Sequence, residues 1–172
     1  MHQIRKKFSE YLPEFVYGSI DGTVTTFAII AGIAGAKLDP SIVLILGFSN
    51  VLADGFSMAS SNFLSEESHQ TQNQDMEHTS PWKTASVTFF SFITVGSIPM
   101  ISYVWSYFFP GSIQNEFYAA SILTLITFFI IGLIRGELAH VSKAKTAIQT
   151  CAIGIIAAIV AYSVGAWLEH II

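Results

Sequence analysis

Two carboxylates fall where an apolar sequence normally carries none: Asp21 within residues 15–36 and Asp54 within residues 41–64. At the centre of a bilayer each costs roughly 2.5–3.5 kcal/mol on insertion scales. Such a residue usually faces a bundle interior or a wet cavity and marks an ion or proton path. Asn50, Asp54, Met58 and Asn62 follow one another at intervals of four, which places them along one helical stripe. Glu14 and Asp21, seven apart, share a face of the preceding helix, with Tyr17 one turn before Asp21 and Thr25 one turn beyond. Where the two stripes meet they form a column of oxygen ligands with one soft sulfur. Carboxylate and amide oxygens suit magnesium, manganese and ferrous iron, whereas a thioether adds little for hard ions, so Met58 tilts the reading toward iron or manganese. A methionine in a span is otherwise a packing residue, and only its place on the polar stripe raises it. The serines near Met58 are read as helix-packing residues.

A second group of metal-ligating types lies in the polar stretch 66–83: Glu66, Glu67, His69, Asp75, Met76, Glu77 and His78. It can collect cations at an entrance, or it is a solvated acidic loop. Its spacing matches no fixed zinc motif. The chain shows no nucleophile elbow, no paired-histidine metalloprotease motif and no glycine-rich phosphate loop, so no enzymatic activity is expected. It also lacks a basic patch interleaved with aromatics, which argues against nucleic acid. The one cysteine, Cys151, sits in an apolar run and cannot form an intrachain disulfide.

The elements that must position these residues are membrane helices. Of the 172 residues, 52% are hydrophobic and only 12% charged, about half the charge of a soluble domain, and the mean hydropathy is +0.55. The apolar residues come in long blocks, not in stripes with polar backs. Five spans are predicted, at about 15–36, 41–64, 84–105, 117–134 and 146–168. Each approaches the roughly 20 residues that a helix needs to cross the hydrocarbon. Backbone groups in lipid must be satisfied within the segment, and barrel strands would be about half as long and would alternate. The fold class is therefore an all-α membrane protein with five transmembrane helices in a single domain, residues 1–172. A cleaved signal peptide is not expected, because the first run is long, contains Asp21 and precedes four more spans.

Turn chemistry joins the spans. Asp39 is an N-cap candidate with Pro40 at the first helical position, and Pro110-Gly111-Ser112 marks the turn after the third span. Pro99 predicts a kink within the third span. Gly18-x-x-x-Gly22, Gly154-x-x-x-Ala158 and Ala161-x-x-x-Gly165 permit close helix contact. Arg135 and Glu137 read as an interfacial ion pair, and Glu169 and His170 as solvated. With the N-terminus in the cytoplasm, Arg5, Lys6, Lys7, Lys83, Arg135, Lys143 and Lys145 all lie inside and only Lys37 outside, a strong positive-inside bias. The C-terminus is then expected on the opposite side of the bilayer.

The segment Tyr17-Gly18-Ser19-Ile20-Asp21-Gly22-Thr23-Val24-Thr25-Thr26-Phe27 resembles the first-span signature N-D-G-x-V-T-T of the vacuolar iron transporter family. Leu52-Ala53-Asp54-Gly55-Phe56-Ser57-Met58-Ala59, ending in Asn62-Phe63-Leu64-Ser65, is similar to its second-span signature, and Gly154 through Gly165 is similar to its last span. The resemblance covers nearly the whole chain. It implies a five-helix fold, a homodimer with the pathway at the subunit interface, and export of ferrous iron, often also manganese, from the cytoplasm in exchange for protons. It places Asp21 and Met58 on the pathway. Asn50 stands where the family carries a carboxylate two turns before that methionine, and Asp54 one turn later is the compensating candidate. The long Glu- and Met-rich cytoplasmic domain of other members is here reduced to residues 66–83, so the chain resembles a short-loop member.

The expectation is a membrane transporter with the lipid bilayer and a divalent metal ion as its partners and no permanently bound cofactor. Metal would enter near Glu14 and the 66–83 stretch and pass Asp21, with Asn50, Asp54 and Met58 on the other wall. The membrane would be the cytoplasmic one in a bacterium or a vacuole-type one in a eukaryote. The rival readings are a non-transporting scaffold or assembly component, whose buried polar residues fix packing, and a transporter of another divalent cation.

Overall fold

The computed structural model describes residues 11–72 and 79–171. Among these the secondary structure is helical throughout: α1 (Leu12–Gly35), α2 (Ser41–Gln72), α3 (Pro81–Gly96), a 3₁₀ turn (Ile98–Met100), α4 (Ile101–Phe108), α5 (Glu116–Leu138) and α6 (Lys143–Glu169). Taken together, α3 to α4 form one membrane-length segment, so five segments are long and apolar enough to cross a bilayer. All five predicted spans are found. The helices overrun the predicted ends because hydropathy marks only the part inside the hydrocarbon. The overrun is greatest in α2: its 32 residues make a rod of about 48 Å, well beyond a core of about 30 Å. Glu66 to Gln72 therefore continue the helix, where a loop was expected.

The ends of the helices are set by local chemistry. The Asp39 carboxylate accepts the Ser41 N–H at 2.8 Å and caps α2 from one residue before Pro40. Hydrogen bonding from Ser41, through its side chain and its backbone N–H, holds the Asp39 carboxyl below the usual range. In the turn after α4, Pro110 and Gly111 (φ 80°) occupy the central positions and Ser112 N–H reaches Phe109 O at 3.1 Å, the pattern of a type II turn. Asn115 caps α5 by accepting the Tyr118 N–H at 2.9 Å. Two helices end on left-handed residues that are not glycine, Lys37 (φ 51°) and His140 (φ 52°). Beyond each, a Schellman bond closes the last turn, Leu38 N–H to Ile33 O and Val141 N–H to Gly136 O, both at 3.1 Å. A Cβ in that conformation costs roughly 1–2 kcal/mol. His140→Gly is accordingly expected to stabilise the protein by about 1 kcal/mol, after allowing for the looser unfolded chain. Unfolding in mild detergent measures it. Lys37→Gly should gain less, because Lys37 also bonds Glu169, at the end of α6, at 3.1 Å.

The first helix is the axis of the bundle. It packs against α3 and α6 most extensively and also against α5 and α2, while α2 leans on α3 and α6 leans on α5. Eleven of the 24 residues of α1 are buried, against five of the 27 in α6. Small residues make this crowding possible. Gly22 and Gly96 meet back to back where α1 crosses α3, and Gly165 sits against the Gly32 carbonyl where α6 crosses α1. Ile30, Val51, Phe92 and Met100 fill the space between. Buried hydroxyls bond to carbonyls of their own helix, as in Thr23 to Ser19 O (2.7 Å) and Thr124 to Ala120 O (2.7 Å), which spares them an unpaired donor in an apolar interior.

The proline-induced break falls at Pro99, inside the 3₁₀ turn that separates α3 from α4. Beyond it, Ser102 donates to Glu116 O (3.0 Å) and Ser106 to Glu116 Oε1 (2.6 Å), pinning α4 to the start of α5. Two expectations about charged ends are corrected. Glu137 pairs with Lys143 across the α5–α6 turn and not with Arg135, because the tight turn brings the start of α6 over the last turn of α5. Glu169 is not simply solvated; it bridges to Lys37 and lies 3.4 Å from His170.

Candidate metal site

The polar stripe divides in the structure. On α2, Asn50 Nδ2 donates to Asp54 Oδ2 at 2.8 Å, so the amide orients the carboxylate one turn away. Asp21, half-buried on α1, lies within electrostatic reach of Asp54. The two intramembrane carboxylates thus come from neighbouring helices and feel each other's charge, with the Asn50 amide beside Asp54. Two negative charges so close favour whatever places positive charge between them, a cation or a proton.

One to two turns from there toward the Glu14 end, Met58 lines a polar cavity of about 380 Å³ with Tyr17, Ser57, Ser61, Asn62 and Ser65. Part of Met58 also packs on the core. The cavity joins α1 to α2, since Tyr17 comes from the former and every other wall residue from the latter. Glu14 stands in the first turn of α1, one turn before Tyr17, with one carboxylate oxygen turned away from solvent.

Asn62 leaves the stripe: its Nδ2 donates to Thr88 Oγ1 on α3 at 2.7 Å. The serines near Met58, read from the sequence as packing residues, instead line the cavity. Ser57, Ser61 and Ser65 are exposed and recur every four residues, and that spacing was the available signal. Tyr17 is 62% exposed. This flank of α1 and α2 therefore exposes hydroxyls beside half-buried carboxylates and amides on the outside of a single chain.

Of the proposed entrance residues, Glu66, Glu67 and His69 lie on the last turns of α2, with Glu67 and His69 exposed. Asp75, Met76, Glu77 and His78 lie outside the described residues. Gln70 Nε2 donates to Thr79 O at 2.6 Å and ties the end of α2 to the approach to α3. Among the described residues no three His, Cys, Asp or Glu side chains converge on one point. A cation between α1 and α2 would meet a mixed set: two carboxylates and an amide at one level, a thioether and hydroxyls at the next. Such a set holds a divalent ion without fixing one rigid geometry.

The chain has relatives among known proteins. A model described as the VIT family matches residues 12–77 and 67–166. The two matched stretches meet at the link between α2 and α3. A vacuolar iron transporter of Toxoplasma gondii is 24% identical over 230 aligned positions, covering 95% of this chain and 76% of that protein. One of Plasmodium falciparum is 24% identical, covering 92% and 82%. Vacuolar iron transporter 1 of Arabidopsis thaliana is 35% identical over 81 residues, 44% of this chain and 32% of that protein. The alignment to the Toxoplasma protein is longer than the 172 residues of this chain, so that relative carries inserted residues absent here. With its five membrane-length helices and its motif residues gathered on α1 and α2, the chain belongs to the VIT family.

Proposed function

We propose that the protein is a secondary transporter that moves ferrous iron, manganese or both out of the cytoplasm in exchange for protons. The observation that carries this reading is the polar cavity of Met58 and Tyr17 between α1 and α2, with Asp21 and Asp54 on the same two helices within electrostatic reach of each other. A divalent ion balances two carboxylates, and protonation of either one weakens its hold, so metal and proton compete for the same oxygens. The names of the relatives point to iron as the cargo. Met58 favours iron and manganese over harder ions. The basic residues Lys83, Arg135, Lys143 and Lys145 lie at the helix ends shared with the start of α1, opposite Lys37, which supports a cytoplasmic N-terminus. Metal then enters past Glu14, Glu66, Glu67 and His69 and leaves toward the Lys37 end. A vacuole-type membrane fits the relatives, and a bacterial cytoplasmic membrane would serve the same direction of transport.

The working unit in this reading is a homodimer. Tyr17, Ser57 and Ser61 are exposed on one chain, and exposed hydroxyls beside half-buried carboxylates are costly against lipid. A second copy placed on this flank removes them from lipid and closes the pathway from the other side. The test is uptake of ferrous iron and manganese by proteoliposomes under an imposed pH gradient. Saturable uptake driven by an acidic lumen and collapsed by a protonophore is expected. Uptake indifferent to the gradient would remove proton exchange from the reading, and no uptake of any divalent metal would leave the scaffold reading in its place.

A further inference from the structure

On the face of α2 turned away from the carboxylates, α2 and α3 border a groove of about 440 Å³. Its walls are Phe56, Phe63, Phe89 and Phe90, and its floor is Ala59 and Ala85. The two serines at its edge offer it no donor, because Ser60 bonds to Phe56 O (2.8 Å) and Ser86 to Trp82 O (2.6 Å). At the membrane-surface end the groove is closed by Trp82, whose ring lies 4.9 Å from that of Phe63. The next residue, Lys83, is exposed in the first turn of α3 and has no ion-pair partner among the described residues. It stands one turn before Ser86 and two before Phe90, over the same flank as the groove. An apolar slot between two membrane-length helices, a tryptophan at its end and an exposed cation just beyond follow the order of a phospholipid: chain, ester region, phosphate.

We infer that this groove seats one acyl chain of an anionic glycerophospholipid, with Lys83 holding its phosphate. The charge selects the class: a zwitterionic headgroup brings its own cation next to the phosphate, whereas an anionic one leaves the phosphate to Lys83. The site is independent of the metal pathway and rests only on the chain spanning a membrane.

The test is native mass spectrometry of the full chain from micelles containing equal amounts of phosphatidylglycerol and phosphatidylcholine. Preferential retention of phosphatidylglycerol is expected, and Lys83→Gln should cut that preference about fivefold, the effect of one cation near a membrane surface. Ser86→Trp, which fills the groove from an exposed position, should reduce retention of both lipids. Lys83→Gln changes only a surface side chain, so its result stands even where the bulky variant fails to fold. Equal retention of the two lipids by the native chain, or retention unchanged by both substitutions, overturns the inference. So does efficient disulfide cross-linking of Phe56→Cys between two copies, which would show that a second chain fills the groove.

Discussion

Replacing Asp21 with asparagine is expected to abolish metal uptake in proteoliposomes while leaving the protein folded. The substitution keeps the size and a hydrogen-bonding oxygen but removes the charge that faces Asp54. A carboxylate and a bound cation at about 4 Å attract each other by about 4 kcal/mol per unit of cation charge at an effective dielectric near 20. Even after discounting for a half-buried site, loss of this charge should lower the uptake rate on the order of a hundredfold, about 2.7 kcal/mol. Asp54→Asn should cost less, because Asn50 already supplies an amide beside it at 2.8 Å and the α1 carboxylate remains. Initial rates for ferrous iron and manganese, at matched reconstitution, give the comparison. An Asp21→Asn protein that transports within a few-fold of the native rate would take Asp21 off the path. A mutant that fails to accumulate would instead favour a packing role for the buried carboxylate.

The largest effect on stability is expected at the α1–α3 crossing. A Cβ at Gly22 would lie 2.6 Å from Phe92 O and 3.2 Å from the Cα of Gly96. Both are backbone atoms, which cannot rotate away as a side chain can. Gly22→Leu must therefore push apart two helices that also carry the core contacts of Phe92 and Val51. The expected loss is about 3 kcal/mol or more, at or beyond the upper end for overpacking, and the protein should be recovered as aggregate or degraded. Gly55→Ala is the control. Its Cβ would meet only side-chain atoms of Phe92, Ile93 and Phe89, at 3.4, 3.5 and 3.6 Å, so it should change stability by less than about 1 kcal/mol. Denaturant titration in mixed micelles measures both. Equal stability of Gly22→Leu and the native chain would mean that the crossing is looser than the structure has it.

The spans were legible because a bilayer demands long apolar runs, and no tertiary detail overrides that demand. The two intramembrane carboxylates were legible for the complementary reason: Asp21 and Asp54 interrupt those runs. The full stripe was not. Residues four apart advance by more than one turn of a 3.6-residue helix, so each step from Asn50 through Asp54 and Met58 to Asn62 rotates by about 40°. By Asn62 the side chain has turned far enough to bond Thr88 on α3 while still forming part of the cavity wall. Ser57, Ser61 and Ser65 were passed over because serine in a span most often bonds to its own helix, as Ser60 does to Phe56 O. Partners across helices, such as Ser106 with Glu116 or Glu137 with Lys143, depend on which ends meet, and no local pattern encodes that.

The position of α1 at the axis has a consequence for how the chain is made. The helix that every other span leans on is synthesised first, and it is the least apolar of the five. Its glycine faces toward α3 and α6, and the flank that bears Asp21, are all open when it reaches the bilayer. The surface that covers Gly32 and Gly35 arrives only with Ala161, Tyr162, Gly165 and Ala166 in the last of the five spans, about 130 residues later. At about 5–20 residues per second that delay is on the order of ten seconds. During it, α1 has to be retained by the insertion machinery or sheltered by a chaperone, and a chain that stops before α6 would present quality-control proteases with the one helix whose burial defines the finished bundle.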